Sequence, residues 1–241
     1  MNTGTNPVYY TNPRNTAAFK TENLQKLTDI MHEQKLQPGA YLFWEGDTAD
    51  KLYFIKNGRV RATKSTDEGK DLVLYLYQQG DLIGMIDPYD DTKHWYSAEV
   101  LEETLIGVAH KKDVEMLIWQ SGEFALEFMR WMGLSHRMTQ TKYRDMMLYG
   151  KPGALCSTII RLSNTYGRPE EDGTIRITKK LTHSELSDMI GSTRESVNRM
   201  FSDLRKAQAI EMDNGYIVIR DLNYLRGICH CENCPVEVCR M

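Results

Sequence analysis

Turn signals divide residues 38–110 into short runs of β-forming residues. Glycine-containing turns recur at Pro38-Gly39, Glu45-Gly46-Asp47, Asn57-Gly58, Asp67-Glu68-Gly69 and Gln79-Gly80-Asp81. Between them lie apolar and aromatic runs over 41–43, 52–55, 60–63 and 72–77. Many short strands with this regular spacing are typical of a β-sandwich or jelly roll. The sequence therefore predicts a β-roll domain over residues 21–113, opened by a short helix over 21–34 and preceded by a flexible polar arm of residues 1–20.

The next segment, residues 114–149, contains no proline up to Leu148 and is rich in helix formers. Its apolar residues form a stripe at helical spacing: Phe124, Phe128, Met132, Leu134, Met138 and Met146. A helix this long beside a small roll usually packs against another helix, so we expect it to form a homodimer. A core helix packed on its own domain is the alternative. Gly150-Lys151-Pro152-Gly153 breaks the helix and marks a domain boundary.

Residues 150–228 show the pattern of a winged helix-turn-helix. Thr182-His183-Ser184-Glu185 forms a capping box before a short helix, and Gly191 allows a tight turn. Ser192-Thr193-Arg194-Glu195 then offers a second cap for a second helix. Asp213-Asn214-Gly215 lies between two β-type runs and predicts a hairpin, the wing. The fold class predicted for the whole chain is thus α+β.

The second helix begins with polar residues that face away from the apolar set Val197, Met200, Phe201 and Leu204. An arginine can bond a guanine edge with two hydrogen bonds, and a glutamate can accept from cytosine N4. The alternative is an ordinary solvated face, with the glutamate only closing a second capping box. The candidate DNA contacts are Arg194, Glu195, Ser196, Asn198 and Arg199.

The tail, residues 229–241, contains a C-x₂-C-x₄-C run made of Cys231, Cys234 and Cys239, with Cys229 just before it. Thiolates at this spacing converge on one soft metal centre, either zinc or an iron–sulfur cluster. A flexible tail with incidental thiols is the alternative. Cys156 lies in an apolar stretch and is expected to be a buried small hydrophobe.

Composition limits the function classes. The net charge of −3 and the isoelectric point of about 6.1 exclude a general polyanion binder, and only the stretch 150–228 is mildly basic. No run of apolar residues is long enough to span a membrane, and no signal peptide is present. We therefore expect a cytoplasmic protein, in which clustered cysteines favour metal or redox chemistry over structural disulfides.

Over residues 20–228 the chain resembles the CRP/FNR superfamily of bacterial transcription regulators. The similarity lies in the glycine-punctuated roll, in Gly80-Asp81-Leu82-Ile83-Gly84, in the long helix and in residues 192–199, which match the recognition-helix form [S/T]-R-E-[T/S]-V-x-R. The resemblance implies a roll of the cyclic-nucleotide-binding type, a homodimer that engages RNA polymerase, and a palindromic DNA site. In that site, of the form TGTGA-N6-TCACA, Arg194, Glu195 and Arg199 would read the TGTGA-type half-sites.

One departure from the family concerns the effector. Cyclic-AMP-binding members carry a Gly-Glu-Leu segment and then an Arg-Ser pair, whose charged side chains hold the ribose and the phosphate. Here these segments are Gly84-Met85-Ile86 and Tyr96-Ser97. An anionic nucleotide would lose its counter-charge and leave polar groups unpaired. We therefore expect no cyclic nucleotide as a cofactor or effector.

The cysteine run is similar to that of the Bacillus-type FNR subgroup, which binds a [4Fe–4S] cluster at the C-terminus. In that subgroup an aspartate of the long helix is the fourth ligand, and Asp145 is the matching residue here. The resemblance thus implies ligation by Cys231, Cys234, Cys239 and Asp145, with Cys229 as the rival fourth ligand.

The expected function is oxygen or redox sensing by a DNA-binding regulator of anaerobic metabolism, not an enzyme. One alternative is a regulator with a structural zinc in its tail. Another is an iron–sulfur electron carrier, which is disfavoured because the chain has a helix-turn-helix, no glycine-rich dinucleotide motif and no second cluster motif.

Overall fold

The computed structural model describes residues 13–85 and 92–241. It contains two compact units, one of residues 14–139 and one that includes residues 140–241. The first unit is mostly β-structure and the second is mostly helical, so the predicted α+β class is confirmed. Within the described ranges, no helix is both long and apolar enough to cross a membrane.

The first unit is built around two four-stranded antiparallel sheets, with strand orders β1-β8-β3-β6 and β2-β7-β4-β5. The strands are β1 His32–Leu36, β2 Tyr41–Phe43, β3 Lys51–Asn57, β4 Arg59–Ser65, β5 Asp71–Gln78, β6 Leu82–Gly84, β7 Ser97–Val100 and β8 Thr104–His110. Every predicted β run coincides with a strand. The roll is therefore confirmed.

The roll has its core between the two sheets, because successive residues of a strand point to opposite faces. Val60 and Ala62 of β4 are fully buried, whereas the residues beside them are half-buried. The inward residues of the strands and of the segment before β7 form one apolar cluster: Phe43, Tyr53, Ile55, Val60, Ala62, Ile83, Tyr96, Ala98, Val100, Ile106 and Val108. Burial of this cluster fixes the strand registers.

The N-terminal region differs from the prediction at two places. Helix α1 spans Thr21–Asp29 and ends before residue 34, because His32–Leu36 pairs with β8 instead. Residues 14–20 belong to the predicted flexible arm but are packed on the roll. Asn15 donates its backbone N–H to Asp81 Oδ1 (2.8 Å) and its side-chain amide to the carbonyl of Leu82 (2.8 Å). Residues 1–12 of the predicted arm lie outside the described residues.

The predicted helix over 114–149 is two helices, α2 Lys111–Gln120 and α3 Gly122–Tyr166. They separate at Ser121, whose backbone is extended and whose hydroxyl accepts a hydrogen bond from the Phe124 N–H. The predicted break at Gly150 is also present, as a non-helical residue inside α3. The division between the compact units falls between residues 139 and 140, not at Gly150.

The second unit completes α3 and adds a small antiparallel sheet of order β11-β12-β10-β9. Its further elements are β9 Gly167–Pro169, β10 Ile175–Ile177, α4 His183–Met189, α5 Arg194–Lys206, β11 Ile210–Asp213, β12 Tyr216–Ile219 and α6 Leu222–Ile228. The β11–β12 turn is Asn214-Gly215, both with positive φ (50° and 87°), as a tight hairpin turn requires. The predicted helices and wing are therefore present.

Candidate metal centre and nucleic-acid interface

Gly150 brings together residues that a continuous helix would keep apart. In an uninterrupted helix, Asp145 and Ser157 would lie about 18 Å apart along the axis. Gly150 instead has φ 58° and ψ −164°, a conformation that is essentially restricted to glycine. The chain reverses there, and the Ser157 hydroxyl donates a hydrogen bond to Asp145. The site thus begins with a glycine-dependent turn.

Asp145 is a buried carboxylate held from both sides by arginine. It is 2% exposed. Arg144 donates to its Oδ1 from Nε (3.0 Å) and Nη2 (2.6 Å), and Arg161 donates to its Oδ2 from Nη2 (2.7 Å). The Arg161 side chain is itself 4% exposed. Both carboxylate oxygens are therefore fixed by charge-assisted hydrogen bonds.

The cysteine tail is docked against the helical segment after Gly150. Arg161 Nη1 donates to the Val238 carbonyl (3.3 Å), and Asn164 Nδ2 donates to the Cys239 carbonyl (2.7 Å). At the end of the tail, the Met241 N–H donates to Thr165 Oγ1 (3.1 Å). Earlier in the tail, Arg144 forms an ion pair with Glu232. The tail is therefore not loose, as the alternative reading of the sequence supposed, because backbone groups of the tail are hydrogen-bonded to α3.

The four tail cysteines line one small cleft together with residues that hold Asp145. The lining consists of Arg144, Ser157, Ile160, Arg161, Cys229, Cys231, Glu232, Cys234 and Cys239. The cleft therefore brings the predicted thiol ligands of the tail together within the second unit, beside the three side chains that hydrogen-bond to Asp145. Cys156 does not line the cleft, although it lies near enough to Cys229 to raise the pKa of that thiol, and burial raises the pKa of Cys156 itself to about 12, as expected of a small core residue.

The thiols in the cleft differ in acidity. The Cys229 thiol donates a hydrogen bond to Cys231, which with the Asn233 N–H and the nearby arginines lowers the pKa of Cys231 to about 6. The same hydrogen bond, together with burial, raises the pKa of Cys229. Burial raises the pKa of Cys239 to about 11. Cys231 is thus the most readily ionised of these three thiols.

The donor set fits a soft metal centre in its chemistry, because four thiols line the same cleft. In the described part of the chain, no three His, Cys, Asp or Glu side chains are arranged to hold a single metal ion. The free space in the cleft is about 20 Å³, which holds about one water. The thiols Cys231, Cys234 and Cys239 stand in a segment that has neither helix nor strand.

The helix-turn-helix is built by local capping. Thr182 caps α4: its hydroxyl accepts from the Glu185 N–H (3.1 Å), and the Glu185 carboxylate accepts from the Thr182 N–H (2.8 Å). Thr193 caps α5 by accepting from the Ser196 N–H (3.2 Å). Because the cap is Thr193 and not Ser192, Glu195 stands in the first turn of α5 and does not close the second capping box considered above.

One face of α5 is packed and the other is free. Val197, Phe201 and Leu204 are buried, whereas Met200 is only half-buried. The predicted contacts Arg194, Glu195, Asn198 and Arg199 are all exposed, and Ser196 is half-buried. The polar N-terminal face of α5 is therefore accessible.

A third feature is a cavity of about 280 Å³ between the roll and α3, within the first unit. Its described lining contains no Arg, Lys, Asp or Glu. The lining residues are Asn15, Tyr75, Tyr77, Leu82, Gly84, Met85, Trp95, Tyr96, Trp131, Met132, Ser135, His136, Met138 and Thr139. Ile86, the last residue of the Gly84-Met85-Ile86 segment considered in the sequence analysis, lies outside the described residues.

Two family models match the chain. Residues 33–121 match the cyclic nucleotide-binding domain, and residues 153–228 match the Crp-like helix-turn-helix domain. The "Anaerobic regulatory protein" of Bacillus subtilis (strain 168) is 39% identical over 231 residues, which is 95% of this chain and 97% of that protein. The chain belongs to the CRP/FNR family. It is therefore a DNA-binding transcription regulator of the CRP/FNR type, and its relatives are regulators rather than enzymes.

The chain is also similar to a more distant relative and to solved structures. "Electron transport regulator A" of Shewanella oneidensis is 26% identical over 87% of this chain and 84% of that protein. Among solved structures, a mutant of CooA from Carboxydothermus hydrogenoformans covers 90% of this chain and 99% of that chain, with TM-score 0.73 and 19% identity. FixK2 from Bradyrhizobium japonicum gives a TM-score of 0.66 at 18% identity, covering 83% of this chain and 97% of that chain. These structures support the fold.

The cavity has a different chemistry from a site for an anionic nucleotide, although the CRP/FNR roll matches the nucleotide-binding model. Met85 and Tyr96 line the cavity at the two positions where cyclic-AMP-binding members carry the charged side chains that hold the ribose and the phosphate. A phosphate placed in this cavity would find aromatic and thioether groups but no lysine or arginine among the described lining residues.

Sequence reasoning missed the residues that surround Asp145. Arg144, Ser157 and Arg161 hold the carboxylate, and none of them was singled out. One signal was available. Arg161 stands in the apolar stretch 154–162 of a helix, where a charged residue requires a buried partner.

Proposed function

We propose that this protein is a homodimeric transcription regulator that senses oxygen or redox state through a [4Fe–4S] cluster and controls genes of anaerobic metabolism. The observation that carries the proposal is the shared cleft of Cys231, Cys234 and Cys239, beside the arginines that hold Asp145. The name of the Bacillus subtilis relative, "Anaerobic regulatory protein", supports the same function. A cytoplasmic location accords with this role.

The residues of the proposed site have distinct roles. The three thiolates are the soft donors that iron in a cluster prefers, and the cluster supplies the reactivity towards oxygen. Asp145 contributes a hard oxygen donor, which matches iron less well than a thiolate. Three thiolates and this carboxylate would therefore hold a cluster less firmly than four thiolates would, which suits a sensor.

Dimerisation rests on the exposed apolar side chains of α3. Met129 is 67% exposed in the first unit, and Met147 and Leu148 are 63% and 68% exposed in the second. Leu126, Met129, Tyr143 and Met147 follow the spacing of positions a and d of a heptad repeat along the helix before Gly150. We propose that a second copy covers this face. Exposed apolar residues at such positions are otherwise costly in water.

DNA recognition is assigned to the exposed face of α5. In this proposal Arg194, Glu195 and Arg199 contact base edges, and Ser196 and Asn198 contact neighbouring bases or phosphates. Two copies related by a two-fold axis would read a palindrome of the form TGTGA-N6-TCACA and engage RNA polymerase from it. Half-site centres would lie about 10–10.5 base pairs apart.

The central test is anaerobic reconstitution of the full chain with iron and sulfide. We expect bound iron and sulfide in about equal amounts, broad visible absorbance, and tight binding to the palindrome that is lost after exposure to air. Cys231→Ala, Cys234→Ala and Cys239→Ala should each abolish the absorbance. A wild-type protein that binds no iron, or whose DNA binding is indifferent to air, would overturn the proposal.

A structural zinc is the second candidate function of the tail, and the position of Cys229 favours it. Cys229 lines the same cleft and donates a hydrogen bond to Cys231, so a four-thiol set is available. Zinc has no visible absorbance, and its site would require Cys229. Loss of metal in Cys229→Ala, together with colourless metal-loaded wild-type protein, would favour zinc, whereas unchanged iron content in Cys229→Ala supports the cluster.

A further inference from the structure

Two arginines each connect Asp145 to the cysteine tail. Arg144 donates to Asp145 Oδ1 through Nε and Nη2 and forms an ion pair with Glu232 through Nη1. Arg161 donates to Asp145 Oδ2 through Nη2 and to the Val238 carbonyl through Nη1. We call these contacts the guanidinium bridges. One bridge reaches the tail between Cys231 and Cys234, and the other reaches it next to Cys239.

The tail depends on side-chain contacts for its position. Residues 231–241 contain neither helix nor strand, and their backbone hydrogen bonds to one another, such as those from the Val238 and Cys239 N–H groups to the Pro235 carbonyl, are local. The longer-range contacts include the two guanidinium bridges and the hydrogen bonds of Asn164 and Thr165. Unlike the hydrogen bonds of Asn164 and Thr165, the guanidinium bridges also hold the Asp145 carboxylate.

Stability alone does not account for this arrangement. A buried ion pair adds little net stability compared with apolar side chains of similar size, because both charges must leave water. A planar guanidinium can instead fix two acceptors at a set distance and angle, which a flexible ammonium does less well. Each bridge uses different nitrogens of one guanidinium for Asp145 and for the tail.

We infer that Arg144 and Arg161 are the positioning residues of the metal centre, each holding one half of the cysteine run against Asp145. Arg144 positions the half with Cys231 and Cys234, and Arg161 positions the half with Cys239. Their positive charge also lies beside the thiolates and favours the reduced centre. This inference rests on the proposed function for the role of the centre, but the positioning of the thiols can be measured without any metal.

The test is site-resolved alkylation of the reduced, metal-free full chain with N-ethylmaleimide, followed by mass spectrometry of the cysteine peptides. Arg161→Gln should raise the labelling rate of Cys239 about tenfold, the loss expected for one charge-assisted hydrogen bond, with little change at Cys231. Arg144→Gln should show the opposite pattern, with faster labelling of Cys231 and Cys234 once each rate is divided by the thiolate fraction, because loss of this cation also raises the pKa of Cys231. Cys156, buried in the same unit, is the internal standard for unfolding.

The matched control is Arg168→Gln, which removes an arginine of the same unit whose side chain is 65% exposed and paired with Glu170. It should leave all labelling rates unchanged. The inference is overturned if both cleft variants accelerate all five cysteines alike, which is general loosening, or if neither changes the pattern. Arg144→Gln keeps the test valid if Arg161→Gln does not fold, because Arg144 is the more exposed of the two.

A second measurement separates positioning of the centre from a purely structural role. Arg161→Lys keeps the positive charge and Arg161→Gln removes it. After reconstitution, the reduction potential of Arg161→Gln should be more negative than that of Arg161→Lys, because a nearby cation favours electron uptake. Equal potentials would contradict the inference. If the wild-type protein takes up no iron and sulfide, the proposed function fails while the alkylation pattern still decides the positioning role.

Discussion

Replacement of Asp145 by alanine should destabilise the second unit strongly, even when no metal is bound. Asp145 is 2% exposed and faces the Arg161 side chain, which is 4% exposed. Removing the carboxylate leaves a buried guanidinium without its counter-charge, which costs about 3–5 kcal/mol. Arg144 contributes less to the loss, because its side chain is 19% exposed and keeps the ion pair with Glu232. We expect a total loss of about 3–5 kcal/mol.

The assay is urea unfolding followed by far-UV circular dichroism, with chelator and reductant present so that bound metal adds nothing. Glu232→Ala is the matched control, because it removes an exposed partner of Arg144, with the Glu232 side chain 61% exposed, and should cost less than about 1 kcal/mol. The double variant Asp145→Ala/Arg161→Met replaces the buried pair by apolar groups. It should regain part of the stability that the single variant loses.

Two results would refute this reasoning. One is an Asp145→Ala protein within about 0.5 kcal/mol of the wild type, the range of an ordinary surface substitution. The other is a double variant less stable than Asp145→Ala alone, which would mean that Arg161 stabilises the fold without its carboxylate. If the prediction holds, Asp145→Ala could lose iron simply because it unfolds. Loss of iron would then indicate ligation by Asp145 only if the folded fraction of the same sample is also measured.

Three further outcomes are expected. Cyclic AMP should give no heat of binding at millimolar concentration, because Met85 and Tyr96 stand where charged anchors would be needed; a micromolar dissociation constant would sink the claim. Arg194→Ala should lose about 1–3 kcal/mol of binding free energy per half-site, mostly at one G·C pair, whereas Lys180→Ala, if Lys180 contacts a phosphate, should weaken binding to all sequences alike and lower the salt slope by about one. Binding-site selection from random DNA separates the two effects. Equal losses of Arg194→Ala on every sequence would contradict base reading by Arg194. Gly150→Ala should cost about 1–3 kcal/mol from backbone strain, measured by unfolding, and no loss would show that the turn tolerates a Cβ.

Local patterns predicted the parts of the fold that local chemistry determines. Each β run predicted between the turn signals coincides with an observed strand, β2, β3, β4 or β5, and Thr182 with Glu185 forms the predicted capping box. The helix over 21–34 was predicted too long, because pairing of His32–Leu36 with a distant strand outweighs helical periodicity. The packed residues 14–20 were also missed, since the polar contacts of Asn15 are with residues far along the chain.

The candidate site shows the same limit. The cysteine spacing indicated the thiol donors, and the family resemblance added Asp145. The partners of Asp145 depend on the reversal at Gly150, which places residues 157 and 161 beside residue 145. A sequence pattern that assumes a continuous helix puts those residues on distant turns. The break was predicted, but the contacts that it creates needed coordinates.

The division into two compact units also separates the natural spectroscopic probes of the chain. The four tryptophans, Trp44, Trp95, Trp119 and Trp131, lie in the unit of residues 14–139, and the five cysteines lie in residues 140–241. Indole fluorescence therefore reports on the roll and the start of α3, and thiol-specific dyes report on the unit that contains α5. The two probes together can thus show, without any engineered label site, whether an effector or a substitution acts on one unit, on the other, or on both.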